Sequence, residues 1–92
     1  MIRSFKHRGL KRLYERGDRS HIRADLADRV EEILTVLDAA AEPKALAVPG
    51  YRLHPLKGKL RGFWSVTVRA NWRIIFRYEE GHAFDVELTD YH

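Results

Sequence analysis

Apolar and polar positions along this chain follow two different periods, one in each half. From about Phe5 to Arg16, Phe5, Gly9, Leu10, Leu13 and Tyr14 recur at helical spacing, while Lys6, Arg8, Lys11 and Arg12 take the other side. Gly17-Asp18 follows, and a glycine after the last periodic residue is a common way to close a helix. Ile22, Leu26, Val30, Ile33, Leu34 and Leu37 then form one apolar stripe of a second helix, with Asp28, Glu31 and Glu32 pointing away from it. Asp25 and Asp28 near its start suit the positive end of a helix dipole. Ala39-Ala40-Ala41-Glu42-Pro43 ends it, and a connector with Pro49-Gly50 follows.

After Gly50 the period drops to two. Trp64, Val66 and Val68 alternate with Ser65, Thr67 and Arg69. Trp72, Ile74, Phe76 and Tyr78 alternate with Arg73, Ile75 and Arg77, and Phe84, Val86 and Leu88 with Asp85, Glu87 and Thr89. Such alternation predicts strands with one face on a core and one toward solvent. Ala70-Asn71 and Glu80-Gly81 stand where tight hairpin turns belong. Residues 51–57 are expected to add a fourth strand, closed by a turn over Gly58–Gly62, and Ile2 to Phe5 a brief edge strand. The predicted fold class is α+β, with two N-terminal helices packed on one face of a mainly antiparallel β-sheet. Leu10, Leu13, Val30, Ile33 and Leu37 would cover that face, leaving Ser65, Thr67, Arg69, Arg73 and Arg77 on an open, polar, cationic one.

Length adds that residues 1–92 make one domain, since a chain of this size supports a single modest core. The absence of cysteine removes disulfides and thiolate metal sites and fits a reducing compartment. No run of about 18–20 apolar residues exists for a membrane span, and the N-terminus lacks the features of a signal peptide. A cytoplasmic protein without membrane contact is therefore expected.

Charge sharpens the picture through its distribution. Residues 1–23 carry +6, residues 24–50 carry −4, residues 51–77 carry +7 and residues 78–92 carry −5, which together give the net +4. Two basic blocks would draw polyanions to the surface. Equally, the blocks could meet in three dimensions and neutralise one another.

The five histidines, His7, His21, His54, His82 and His92, show no metal-ligand spacing, so no metal and no cofactor is expected. A glycine-rich phosphate loop, a Gly-x-Ser-x-Gly elbow and a thiol nucleophile are all missing as well. Two segments retain chemical interest, Tyr51 to Gly58 and the terminal Asp90-Tyr91-His92. Cleavage of RNA by its own 2′-hydroxyl needs a base, an acid and cations beside the phosphorane. Histidine suits the proton transfers because its pKa lies near neutrality, and Lys and Arg suit the phosphate. His54, Lys57, Arg73, Asp90, Tyr91 and His92 supply every part. On chemistry alone a plainer reading stands beside it, with His54 capping a turn and the last residues fraying.

Five co-linear motifs add more. They are Ser-Phe-Lys-His-Arg-Gly-Leu-Lys from Ser4, Leu53-His54-Pro55-Leu56-Lys57-Gly58, Trp64-Ser65-Val66-Thr67-Val68, Asn71-Trp72-Arg73-Ile74 and Asp90-Tyr91-His92. Together they resemble the HigB toxins of the RelE-like toxin superfamily, also called plasmid maintenance killer proteins, over essentially the whole chain. The resemblance implies the RelE-like fold and a toxin of a type II toxin–antitoxin system. It further implies a ribosome-dependent, metal-independent endoribonuclease that cuts messenger RNA during translation and leaves a 2′,3′-cyclic phosphate. The implied partners are a HigA-like helix-turn-helix antitoxin, the ribosome and mRNA, with operator DNA met only through the antitoxin complex. By position, His54, Asp90, Tyr91 and His92 match the family's catalytic residues, and Asn71 its functional set, with Lys57 and Arg73 as cationic support. His54 and His92, helped by Asp90, would move protons. Lys57 and Arg73 would hold the phosphate, and Tyr91 would position the nucleotide. Two other classes stay open. One is a non-catalytic inhibitor on the same scaffold, resembling gyrase poisons, and the other a plain RNA-binding module.

Overall fold

The computed structural model describes residues 1–90. The predicted helix does not begin at Phe5. Ile2 and Phe5 instead bridge in parallel to Ala83 and Val86, with Arg3 and Lys6 donating their backbone N–H to the Ala83 and Val86 carbonyls. An uncovered final strand would expose a row of unpaired backbone groups, and this segment satisfies them. Helix α1 therefore spans Arg8–Arg16, capped by the His7 ring, whose Nδ1 accepts the Leu10 N–H at 3.1 Å. Gly17 closes it at φ 67, with its N–H on the Leu13 carbonyl. Gly9 marks a close crossing, since a Cβ there would lie 2.8 Å from the His21 carbonyl oxygen.

Helix α2, Ala24–Ala39, buries the predicted stripe from Leu26 to Leu37, and Ile22 is buried just ahead of it. Two short 3-10 turns, Pro43–Leu46 and Gly58–Leu60, flank a strand of only two residues, β1 His54–Pro55. The meander follows as β2 Phe63–Arg69, β3 Trp72–Glu79 and β4 His82–Asp90, and the sheet is antiparallel in the order β1-β2-β3-β4. Val66, Val68, Ile74, Phe76, Val86 and Leu88 face the helices and close the core against Leu10, Val30, Ile33 and Leu37.

Three expectations change in detail. The fourth strand shrinks from 51–57 to His54–Pro55, because the chain turns through a left-handed residue at Arg52 (φ 51) and Pro55 has no N–H for a longer ladder. Phe84 does not share a face with Val86 and Leu88. Between the pairs Ile75–Glu87 and Arg77–Phe84, two residues of β4 oppose one of β3. This bulge, centred on Asp85 at φ 54, rotates Phe84 onto the outer face. The outer face is also not open throughout. Ser65, flanked by His54 and Ile75 on the neighbouring strands, is 3% exposed, and Ile75 itself is 5%.

The charge blocks mix in part. Arg19 pairs with Asp28 and Glu31, Arg23 and Arg69 with Asp25, and Arg77 with Glu79 and Asp85. Among the described residues, no acidic side chain comes within ion-pair distance of Lys57, Lys59, Arg61 or Arg73.

Candidate active site

The outer face is built in rows, because residues paired across antiparallel strands share a face. His54 pairs with Ser65, Ser65 with Ile75, and Ile75 with Glu87. One step along, Thr67 pairs with Arg73 and Arg73 with Thr89. His54 and Arg73 therefore sit on one face, two strands and one register step apart, roughly 12 Å between Cα atoms. That separation spans a phosphodiester and its flanking sugars.

His54 is exposed, and its ring is oriented by its own backbone. Nδ1 lies 3.0 Å from the Arg52 carbonyl oxygen. A carbonyl only accepts, so a neutral ring in this contact carries its proton on Nδ1 and its lone pair on Nε2. The carbonyl is aimed by the left-handed turn at Arg52, an uncommon conformation for a residue with a side chain. The arm is fastened on both sides of that turn. Tyr51, 1% exposed, donates its hydroxyl to Glu32 of α2, its carbonyl accepts the Thr67 N–H, and Arg29 lies over its ring. Burial, followed by the Glu32 hydrogen bond, pushes the Tyr51 phenol up to about 12, so it stays a neutral donor. Beyond β1, Leu56 donates to the Phe63 carbonyl, and Lys57 stands exposed just past it.

Arg73 is folded back on the β2–β3 turn. Its guanidinium donates to the Ala70 carbonyl at 2.6 Å and to its neighbour Trp72 at 3.2 Å. Asn71 occupies that turn and is exposed. Helix α2 steadies the same hairpin, with Asp25 pairing Arg69 at 3.4 Å and Arg23 over the Trp72 ring at 5.5 Å. Asp90 ends β4 opposite Trp72, at the same end of the sheet as Arg73. Tyr91 and His92, the other two catalytic candidates, lie outside the described residues.

The structure thus places His54 and Arg73 on the outer face, with Asn71 in the turn beside Arg73 and Asp90 at that same end but on the row of Trp72, whereas Lys57 follows β1 past Phe63 toward the other end of the sheet. Three contributors escaped the sequence reading of the site. They are Arg52, which orients His54 through its carbonyl, Tyr51, which anchors the arm, and Thr67, on the row of Arg73, whose buried hydroxyl meets no hydrogen-bond partner among the described residues. No local sequence signal marks Arg52, because left-handed turns more commonly use Gly, Asn or Asp. Among the described residues, no three His, Asp or Glu side chains are grouped to hold a metal ion. A groove of about 350 Å³ between α1 and α2, lined by Leu13, Tyr14, Glu31, Leu34 and Asp38, lies away from this face.

Two helices over a four-stranded antiparallel meander also describe other solved structures. A chain of the YoeB–YefM complex from Staphylococcus aureus superposes with a TM-score of 0.63 at 16% identity, covering 100% of this chain and 95% of that one. A variant of YafQ from E. coli superposes at 0.61, also with 16% identity, over 98% and 91%. At that identity the likeness establishes the fold, that of the RelE-type toxins. Sequence goes further. Endoribonuclease HigB of Proteus vulgaris is 49% identical over 92 residues, with both chains covered completely. Toxin HigB-1 of Vibrio cholerae is 33% identical over 91 residues, covering 96% of this chain and 95% of the relative. The family of RelE-like HigB toxins of type II toxin–antitoxin systems matches residues 3–92, and this chain belongs to it.

Proposed function

We propose that this chain, acting as one unit over residues 1–92, is an endoribonuclease toxin that cuts messenger RNA on the translating ribosome. The observation that carries the reading is the contact of His54 Nδ1 with the Arg52 carbonyl on the face that also bears Arg73. That contact leaves Nε2 to act as the base for a 2′-hydroxyl. In the reaction, Nε2 takes the 2′-OH proton and the 2′-oxygen attacks phosphorus. The imidazolium of His92, supported by Asp90, gives a proton to the departing 5′-oxygen. The products are a 2′,3′-cyclic phosphate and a 5′-hydroxyl. Lys57 and Arg73 offset charge on the phosphorane, Arg73 after leaving the Ala70 and Trp72 carbonyls. Asn71 and Tyr91 hold the nucleotide. Side chains supply each proton transfer, so the chemistry calls on no metal ion held by the toxin.

The partner that restrains the toxin is a HigA-like helix-turn-helix antitoxin, operator DNA being met only through that complex. The site of action is the cytoplasm, where ribosomes and message are. Charge supports this reading, since Lys57, Lys59, Arg61 and Arg73 face no described carboxylate and can meet phosphates. The test is to induce the wild-type chain and the His54→Ala and His92→Ala variants in cells and map 5′ ends on messages. Cuts within translated regions that vanish in both variants support the nuclease. Growth arrest with gyrase-dependent DNA breaks and no new RNA ends would replace it with an inhibitor.

A further inference from the structure

The bulge at Asp85 has a second consequence. It places Phe84 in lateral register with Arg77 and, through Arg77, with Phe63, forming one row across β4, β3 and β2 on the outer face. Phe63 and Phe84 are both half-buried there, although nothing in the core needs them. The Arg77 guanidinium lies 4.8 Å over the Phe84 ring, and Lys6 Nζ lies 5.7 Å from the centre of the Phe63 ring. Glu79 at 2.7 Å and Asp85 at 3.5 Å hold the guanidinium in that plane. A non-glycine residue at φ 54 is a costly way to build a strand, and such strain is found where a side chain has been re-aimed.

We propose that Phe63, Arg77 and Phe84, with Lys6, form a stacking platform for one base of the RNA strand whose backbone is cut at the His54–Arg73 end. The inference rests on the nuclease reading above and adds a subsite to it. Charge selects the ligand atom. Two carboxylates neutralise Arg77, so this row offers flat cation-π surface rather than net charge for a phosphate. Unstacked bases of single-stranded RNA settle on such aromatic and guanidinium planes. The spacing selects which base. The row of Phe63 lies two residues from that of Ser65, where His54 sits, and four from that of Thr67, where Arg73 sits, about 7–13 Å along the strand, or about one to two nucleotides of an unstacked chain.

The test uses ribosomes programmed with a defined message, cut by the wild-type chain and by Phe84→Leu, Phe63→Leu and Phe84→Tyr variants. A single abasic nucleotide is placed in turn at each position around the cut. With intact message, Phe84→Leu and Phe63→Leu are expected to raise KM by roughly tenfold, while Phe84→Tyr retains wild-type values. One abasic position, one or two nucleotides from the cut, should cost the wild-type chain the same factor and cost the Leu variants nothing further. The salt dependence of KM should not change, because no phosphate contact is lost. Unchanged KM in folded Leu variants, or equal penalties at every abasic position, would overturn the platform while leaving the nuclease intact. No cleavage of intact message by the wild-type chain would instead remove the reading on which it rests.

Discussion

The two faces of the sheet obey different rules. Toward the helices, Val66, Val68, Ile74, Phe76, Val86 and Leu88 are apolar, at most 7% exposed and packed in one cluster. On the outer face the same strands carry a buried hydroxyl at Thr67, a bulge at Asp85 and half-buried cations at Arg73 and Arg77, and the flanking arm bends through a left-handed Arg52. Hydrophobic burial is non-directional and rewards any arrangement that removes apolar surface from water, so one face can be filled by alternation alone. Catalysis needs particular atoms at particular places, and the local strain that provides them is sustained by stability contributed on the other face.

Substitutions that separate the faces break this comparison most sharply. Phe76→Ala on the helix side removes a fully buried ring and should cost about 3–5 kcal/mol. That is a large part of the stability of a domain this size, so calorimetry should show the transition lost or displaced far downward, with activity gone because the fold is gone. His54→Ala on the outer side should do the reverse. Ribosome-dependent cleavage is expected to fall by about 10²–10⁴-fold with an unchanged melting curve, because the exposed ring is not part of the core. A curve displaced as far as that of Phe76→Ala would mean that His54 is structural.

Arg52 sharpens the distinction further. Proline fixes φ near −65°, so Arg52→Pro should withdraw the carbonyl that orients His54 and lower kcat by about tenfold or more, whereas Arg52→Gly should keep both turn and rate. Equal losses in both variants would point to the Arg52 side chain instead. Tyr51→Phe removes the hydroxyl held by Glu32 and is expected to lower the melting temperature by roughly 5 °C. Because the folded phenol is raised from 10 to about 12, its contribution is complete below pH 10 and lost as pH rises toward 12. Alkaline melts of wild type and Tyr51→Phe should therefore converge over that window.

The smallest effect lies at His7. Burial lowers its pKa, against the opposing charge of Glu87, and its neutral Nδ1 caps α1. The folded value is depressed, so the cap's contribution, about 1 kcal/mol, is whole above the ordinary value of 6.5. It is lost as pH falls from there through the folded value. In thermal melts that acid-dependent loss should vanish in His7→Asn, which caps without titrating in this range.

The legible parts of the molecule were those governed by period. The α2 stripe from Leu26 to Leu37 and the alternation of Trp64, Val66 and Val68 report burial directly, and burial places the helices on one face of the sheet. The parts that escaped depend on single dihedrals. Nothing around Phe84 distinguishes an in-phase strand from one shifted by a bulge at Asp85, so that ring was assigned to the wrong face. Residues 51–57 alternate well enough for a strand, yet the left-handed Arg52 and the constraint of Pro55 leave two residues paired. Within the site, residue types and order pointed to His54, Lys57 and Arg73. The tautomer of His54 and the folded-back Arg73 are matters of hydrogen-bond geometry, which pattern does not encode.

The central claim is that the outer face performs 2′-hydroxyl attack with His54 as base. The most direct measurement is the chemistry of the new 3′ end on a defined message, after incubation of translating ribosomes with wild-type chain or with His54→Ala. A 2′,3′-cyclic phosphate is expected with the wild-type chain and almost none with the variant. A free 3′-hydroxyl at the cut, or equal yields of cyclic phosphate from both chains, would contradict it.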